Sequence, residues 1–225
     1  MALQRIGTRP SLTDLAYEAL VEAIYDRTYP PGGPVSIDEL ADRLGISVTP
    51  VREALVRAAS QGLLTRESNK GFSVAPLLTR REYRQLIELR QLLELHAAAS
   101  AEIGPEDVSH LAAALDRMRE AGARSGYADV KEFIRADYDF HAVLVEASDN
   151  MFVVDAWKNL HHVMHIYRIY LDGGVFDSRD AISEHEHIIE AAQTGDGRSL
   201  VTLLRNHLNA TASRLVTSFP TDGEE

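Results

Sequence analysis

Residues 37–74, IDELADRLGISVTPVREALVRAASQGLLTRESNKGFSV, constrain the fold more than any other stretch, because two helical patterns, a tight turn and two strand-like runs follow one another without a gap. Ile37, Leu40, Ala41 and Leu44 recur at three- and four-residue spacing, which makes one apolar helix face, and Ser36 is placed to cap it. Gly45 stops that helix. A second helix is expected to start near Ser47 or Thr49, since Pro50 is tolerated in a first turn, and to bury Val51, Ala54, Leu55 and Ala58. Two helices joined by about three residues form a helix-turn-helix, in which the second helix offers its N-terminal side chains to the DNA major groove. Ser47, Val48, Thr49 and Arg52 occupy that end. Residues 63–66 and 72–75 then read as short strands around a polar, glycine-containing turn formed by Glu67, Ser68, Asn69, Lys70 and Gly71, which is the pattern of a β-wing.

These residues resemble the winged-helix domain of the GntR family of bacterial transcription regulators over about residues 11–76, with TPVREAL, GLL and GF-x-V carrying the likeness. The resemblance implies a leading helix over residues 17–24, a turn at Pro30, Pro31 and Gly32, and DNA contacts from Arg52, Ser47, Thr49, Arg43 and a wing tip of Asn69, Lys70 and Gly71. Val48 stands where many relatives carry arginine, and Asp38 where the best-known fatty-acid-responsive members carry another, so the operator sequence does not transfer. The bland alternative for Arg52 is a solvent-facing arginine paired with a carboxylate.

Composition narrows the remaining classes. A chain of 225 residues accommodates two modest domains, and zero cysteines exclude disulfides, thiolate metal sites and a cysteine nucleophile. With no apolar run of bilayer length and no leader-like N-terminus, the expectation is a soluble, cytoplasmic protein with no membrane partner. Residues 1–76 hold eight Lys/Arg against nine Asp/Glu, so nearly all of the net charge of −11 belongs to the rest of the chain. DNA affinity must then come from locally placed cations, namely Arg5, Arg9, Arg43, Arg52, Arg57, Arg66 and Lys70, and two copies of the reader are expected.

From Thr79, whose spacing to Glu82 matches a capping box, helical signals dominate. An apolar stripe through Leu86, Leu89, Leu93 and residues 97–101 ends at Gly104 and Pro105, and helical patterns follow over 105–124, 129–147, 150–171, 178–193 and 197–218. The chain is therefore expected to be mainly α: a winged helix-turn-helix domain over 1–76, an all-α antiparallel bundle of six helices over 77–218, and an acidic tail over 219–225.

Asp137 and His141 are four apart and share a helix face, and His185 and His207 reach them if the bundle is antiparallel. One carboxylate and three imidazoles suit a divalent cation: zinc first, nickel or manganese as alternatives. Spacing alone is weak evidence among nine histidines, and His161 with His165 is an equally spaced competitor. The motifs D-Y-D-F-H, E-H-x-x-I and R-N-H-L over about residues 79–217 resemble the FCD ligand-binding domain of FadR-like GntR regulators. That resemblance implies Asp137, His141, His185 and His207 as metal ligands, His187 facing away or into the surroundings of the site, and a small carboxylate filling the remaining metal position. It further implies an effector contact from Arg90, with Arg168 and Tyr138 as additional candidates, while His161 and His165 fall outside the bundle, at a subunit interface or near the pocket. The plain alternative for Arg90 is a surface ion pair with Glu94.

The function expected is a DNA-binding regulator, a homodimeric repressor on a pseudo-palindromic operator, controlled by an organic acid at a metal site. A metal-sensing repressor is the first alternative, and a metal-dependent hydrolase the second. Against the hydrolase, the sequence has no HExxH, GxSxG, P-loop or dinucleotide fingerprint.

Overall fold

The computed structural model describes residues 10–67, 71–124, 127–171 and 178–216. The chain divides into two compact units, residues 1–77 and 78–225.

In the first unit, α1 (Leu12–Tyr25) packs on α3 (Val48–Ser60), and α2 (Ile37–Leu44) also packs on α3. α1 begins five residues before the expected leading helix, because Ser11 and Asp14 close a reciprocal capping box there. It buries Ala16, Tyr17, Leu20 and Ile24, and α3 buries Val51, Ala54, Leu55 and Ala58. Polar ties brace the same pair of helices: Thr13 Oγ1 donates to Glu53 at 2.8 Å, and Arg57 donates to Asp14 at 3.1 Å. Gly45 ends α2 at φ 65°, a left-handed conformation that costs other residues strain. The wing strands are β2 (Leu64–Glu67) and β3 (Gly71–Val74), antiparallel, with Leu64 opposite Val74 and Arg66 opposite Phe72. Sequence patterning did not reveal β1 (Pro34–Val35), which pairs with the other edge of β3 and gives the order β1-β3-β2. Two residues are too few to show an alternation, and they become a strand only because β3 presents an open edge.

The second unit contains six helices among the described residues: α4 (Arg80–Ser100), α5 (Pro105–Gly122), α6 (Tyr127–Glu146), α7 (Met151–Leu171), α8 (Ser178–Thr194) and α9 (Gly197–Val216). α5 packs on α6 and α8, α8 on α9, and α4 against α6, α7 and α9. Leu111, Met118, Phe133, Phe140, Leu144, Ile188, Leu204 and Leu208 form its main core. None of the helices described is long and apolar enough to cross a membrane. α4 carries two residues of the site below, and its entry is set by Thr79, whose hydroxyl accepts from the Glu82 N–H while the Glu82 carboxylate accepts from the Thr79 N–H. Thr79→Ala is expected to cost about 1 kcal/mol, read as a lower denaturation midpoint at unchanged slope; an unmoved midpoint would show that the cap contributes nothing.

Candidate metal centre and DNA-reading surface

Asp137 and His141 lie one turn apart on α6, His185 is on α8 and His207 on α9. Packing of these helices brings the four side chains into the interior, each at most 2% exposed. One donor atom from each lies within 4.8 Å of the other three. His141 Nε2 and His207 Nε2 are 3.2 Å apart, and Asp137 Oδ1 lies 3.5 Å from His185 Nε2 and 4.0 Å from His141 Nε2.

The surroundings of the imidazoles decide which nitrogen faces the cluster. His185 Nδ1 lies 2.6 Å from the Ala181 carbonyl, one turn earlier on its own helix, and must be the donor. His207 Nδ1 lies 2.7 Å from Glu184 Oε2, and His141 Nδ1 lies 2.8 Å from Glu94 Oε2. Burial would raise the Glu184 carboxyl, but the hydrogen bond from His207 and the paired donors of Arg214 hold it down to about 2. Burial opposes the Glu94 charge too, and Arg90 together with His141 holds that carboxyl well below its usual range. Both carboxylates are therefore ionised: His207 Nδ1 donates to Glu184, while His141 Nδ1 faces Glu94 Oε2 at 2.8 Å, an ion-pair distance outside hydrogen-bond geometry that still favours the proton on Nδ1. Burial pushes the His141 and His207 values down, so neutral rings offer Nε2 lone pairs inward.

Three inward imidazole nitrogens and one carboxylate are a donor set that fits a divalent cation, and the outward Nδ1 bonds are the usual supports of metal-binding histidines. Two lone pairs facing each other at 3.2 Å also repel unless a positive charge lies between them. Ligands about 2.1 Å from an ion lie at most about 4.2 Å apart, so a set spanning 4.8 Å needs to contract by tenths of an ångström.

Beside the cluster, Arg90 is 1% exposed, not on the surface, and its ion pair with Glu94 is internal at 2.6 Å. Its Nη2 has no hydrogen-bond partner among the described residues. Tyr138 is half-buried and stacks on Trp157 with ring centroids 5.0 Å apart. The side chains of Arg168 and His165 lie outside the described residues. His187 is exposed on the other face of α8. His161, by contrast, is 4% exposed and its ring centroid lies 4.0 Å from that of Trp157, so it is inside the bundle. Glu184 and Glu94 are the supporting residues that sequence patterning missed. Glu184 precedes His185 directly and Glu94 pairs with Arg90 at four-residue spacing, yet neither signal reports which helix the carboxylate faces.

On the reader, Ser47 is the N-cap of α3, but its side chain makes no capping hydrogen bond and is exposed. That hydroxyl is left for another partner, unlike those of Ser11, Ser36 and Thr79, which accept from their own helices. Thr49 and Arg52 are exposed on the first turns of α3, and no described carboxylate forms an ion pair with Arg52. Arg43 is exposed and bridges to Glu39 at 3.0 Å. Arg57 is held by Asp14 and lies 4.1 Å over the Tyr17 ring, so this cation joins α3 to α1. Gly71 opens β3 at φ 86°, while Asn69 and Lys70, like Arg5 and Arg9, lie outside the described residues.

The FCD domain family matches residues 85–210, and the bacterial regulatory proteins of the gntR family match residues 12–74. The chain is 29% identical over 205 residues to a probable D-xylose utilization operon transcriptional repressor of Paenarthrobacter nicotinovorans, across 90% of this chain and 88% of the relative. It is 27% identical over 195 residues to the uncharacterized HTH-type transcriptional regulator YdhC of Bacillus subtilis, across 86% of each. The solved structure of E. coli McbR/YncC shares the fold, with a TM-score of 0.82 at 23% identity, covering 94% of this chain and 100% of that one. The curated relatives are named as transcription regulators, not enzymes, which removes the hydrolase alternative and makes DNA-binding regulation the work of this chain. A gntR-type reader followed by an FCD domain places the chain in the GntR family of bacterial transcription regulators, within its FadR-like subfamily.

Proposed function

We propose that the chain is a cytoplasmic, homodimeric repressor whose operator affinity is set by a small carboxylate bound at a divalent-cation centre in its helical unit. The observation that carries this reading is the inward convergence of Asp137, His141, His185 and His207 beside a buried guanidinium with a spare donor. When bound, a zinc, nickel or manganese ion would supply positive charge and an open coordination position for an anion. Asp137 and the three Nε2 atoms would hold it, and Arg90 would give the anion a charge-assisted hydrogen bond, with Tyr138 and Arg168 as further effector contacts. Ser47, Thr49 and Arg52 on α3, with Arg43 and the wing tip of Asn69, Lys70 and Gly71, would contact DNA. A two-fold dimer pairs two such readers on a pseudo-palindrome with half-sites about one helical turn apart. Residues 1–76, 77–218 and 219–225 would act as reader, effector domain and tail. The carboxylate must bind the DNA-competent and DNA-incompetent arrangements unequally, because only that difference shifts the equilibrium.

Elemental analysis of the purified protein, followed by a thermal-shift screen of di- and hydroxycarboxylates on cation-loaded and chelated forms, tests the reading. Stabilisation by an acid only in the loaded form is expected, with altered operator affinity. Operator binding that follows cation addition and chelation but ignores every acid would identify a metal sensor instead.

A further inference from the structure

A single carboxylate, Glu94, gathers nitrogen donors from three helices. Its Oε1 accepts from Arg90 Nε at 2.6 Å and from the Trp157 indole N–H at 2.8 Å, while Oε2 lies 2.8 Å from His141 Nδ1. Arg90 and Glu94 belong to α4, His141 to α6 and Trp157 to α7, and each is at most 1% exposed. Arginine commonly meets a carboxylate with two parallel donors. Here Nε makes the described contact with Glu94, and Nη2 is buried without a hydrogen-bond partner among the described residues. A buried donor in that state costs free energy until something accepts from it.

We propose that Glu94 is a positioning residue that serves two ligands together: it keeps His141 in the tautomer that presents Nε2 to a cation, and it pins Arg90 through Nε so that Nη2 remains for an anion. This rests on the cation and carboxylate site proposed above. Cation and anion affinities are then coupled through one side chain. Glu184 provides the natural contrast. It supports His207 in the same way, but its other partner is Arg214, so it reaches the cation ligands and not the anion donor. A role limited to neutralising buried Arg90 would leave His141 and the cation indifferent to which acceptor stands at position 94.

Glu94→Gln weakens both holds, because its neutral amide oxygen accepts from Arg90 and Trp157 without the charge that pins the guanidinium, and its NH2 stands where His141 Nδ1–H needs an acceptor. His141 is then driven to the opposite tautomer, with its proton facing the cluster. The test uses full-length wild type, Glu94→Gln and Glu184→Gln. Cobalt(II) affinity is measured by chelator competition, the cobalt visible spectrum is recorded, and acetate is titrated at saturating cobalt. Trp157 is the chain's one tryptophan, so its emission reports on Glu94 directly.

Both Gln variants are expected to weaken cobalt binding about 10- to 100-fold. Only Glu94→Gln is expected to alter Trp157 emission without metal and to weaken acetate about tenfold or more, the loss of one charge-assisted hydrogen bond. Wild-type cobalt affinity in Glu94→Gln, or equal loss of acetate affinity in the two variants, overturns the proposal while leaving the site itself standing. Wild type that binds cobalt and ignores acetate overturns the anion half, together with the carboxylate reading. If circular dichroism shows Glu94→Gln unfolded, Arg90→Met is compared with Arg90→Met/Glu94→Gln, which carries no unpaired guanidinium. The same 10- to 100-fold drop in cobalt affinity is expected between them, and equal affinities overturn the hold on His141.

Discussion

Removing the cation from wild type is expected to lower the thermal midpoint of the helical unit by roughly 10 °C. A ligand present at 1,000 times its dissociation constant stabilises by about 4 kcal/mol, and each kcal/mol is worth about 2–4 °C in a domain of some 150 residues. The direction follows from the donor set: without a cation, three inward lone pairs and a carboxylate share a volume in which each is at most 2% exposed. His185→Ala should reproduce the loss, because it deletes one of the four donors and opens a cavity beside Phe140, whose ring centroid lies 4.4 Å from that of His185. The cavity adds its own cost, so the decisive comparison is the response to chelator. Wild type should lose stability on chelation and His185→Ala should not. Elemental analysis without stoichiometric metal, together with a midpoint that ignores chelation, would sink the metal assignment.

Arg52→Ala carries the second large effect. A base-contacting arginine is worth about 1–3 kcal/mol of discrimination, and a dimer loses it twice, so operator affinity should fall roughly 30-fold to beyond 10⁴-fold. Because Arg52 is exposed on α3 and no described residue ion-pairs with it, folding stability should move by no more than about 0.5 kcal/mol. Arg57→Ala is the internal control in the opposite sense. It breaks the contacts with Asp14 and Tyr17 and should destabilise the reader before it changes operator choice. An Arg52→Ala protein with wild-type affinity would move the reading role to another residue of α3 or to the wing.

Much of this was legible because it is local. The α2 and α3 faces follow from three- and four-residue spacing, Gly45 from its left-handed backbone, and the entry of α4 from the spacing of Thr79 and Glu82. Where a feature depends on a distant partner, local patterning was silent or misleading. β1 exists because β3 offers it an edge, and Arg57 is a cross-helix tie because α1 begins at Leu12 and brings Asp14 within reach. His161 has the same one-turn relation to His165 that Asp137 has to His141, yet it packs against Trp157 and is not one of the four converging donors. Spacing names a helix face and cannot say what that face meets.

The division between the two levels is clearest at the centre of the helical unit. The sequence by itself determined the family, the order of a winged reader and six helices, and the four donor types at 137, 141, 185 and 207, since all of these are written in residue identity and periodicity. Only tertiary structure decided that those donors converge within 4.8 Å, that each imidazole turns Nε2 inward, and that Arg90 is buried with Nη2 to spare. Convergence requires α6, α8 and α9 to pack in one register, and the tautomers require acceptors such as Glu94, Glu184 and the Ala181 carbonyl at the outer nitrogens. Both are relations between helices, and a pattern read along one helix does not contain them.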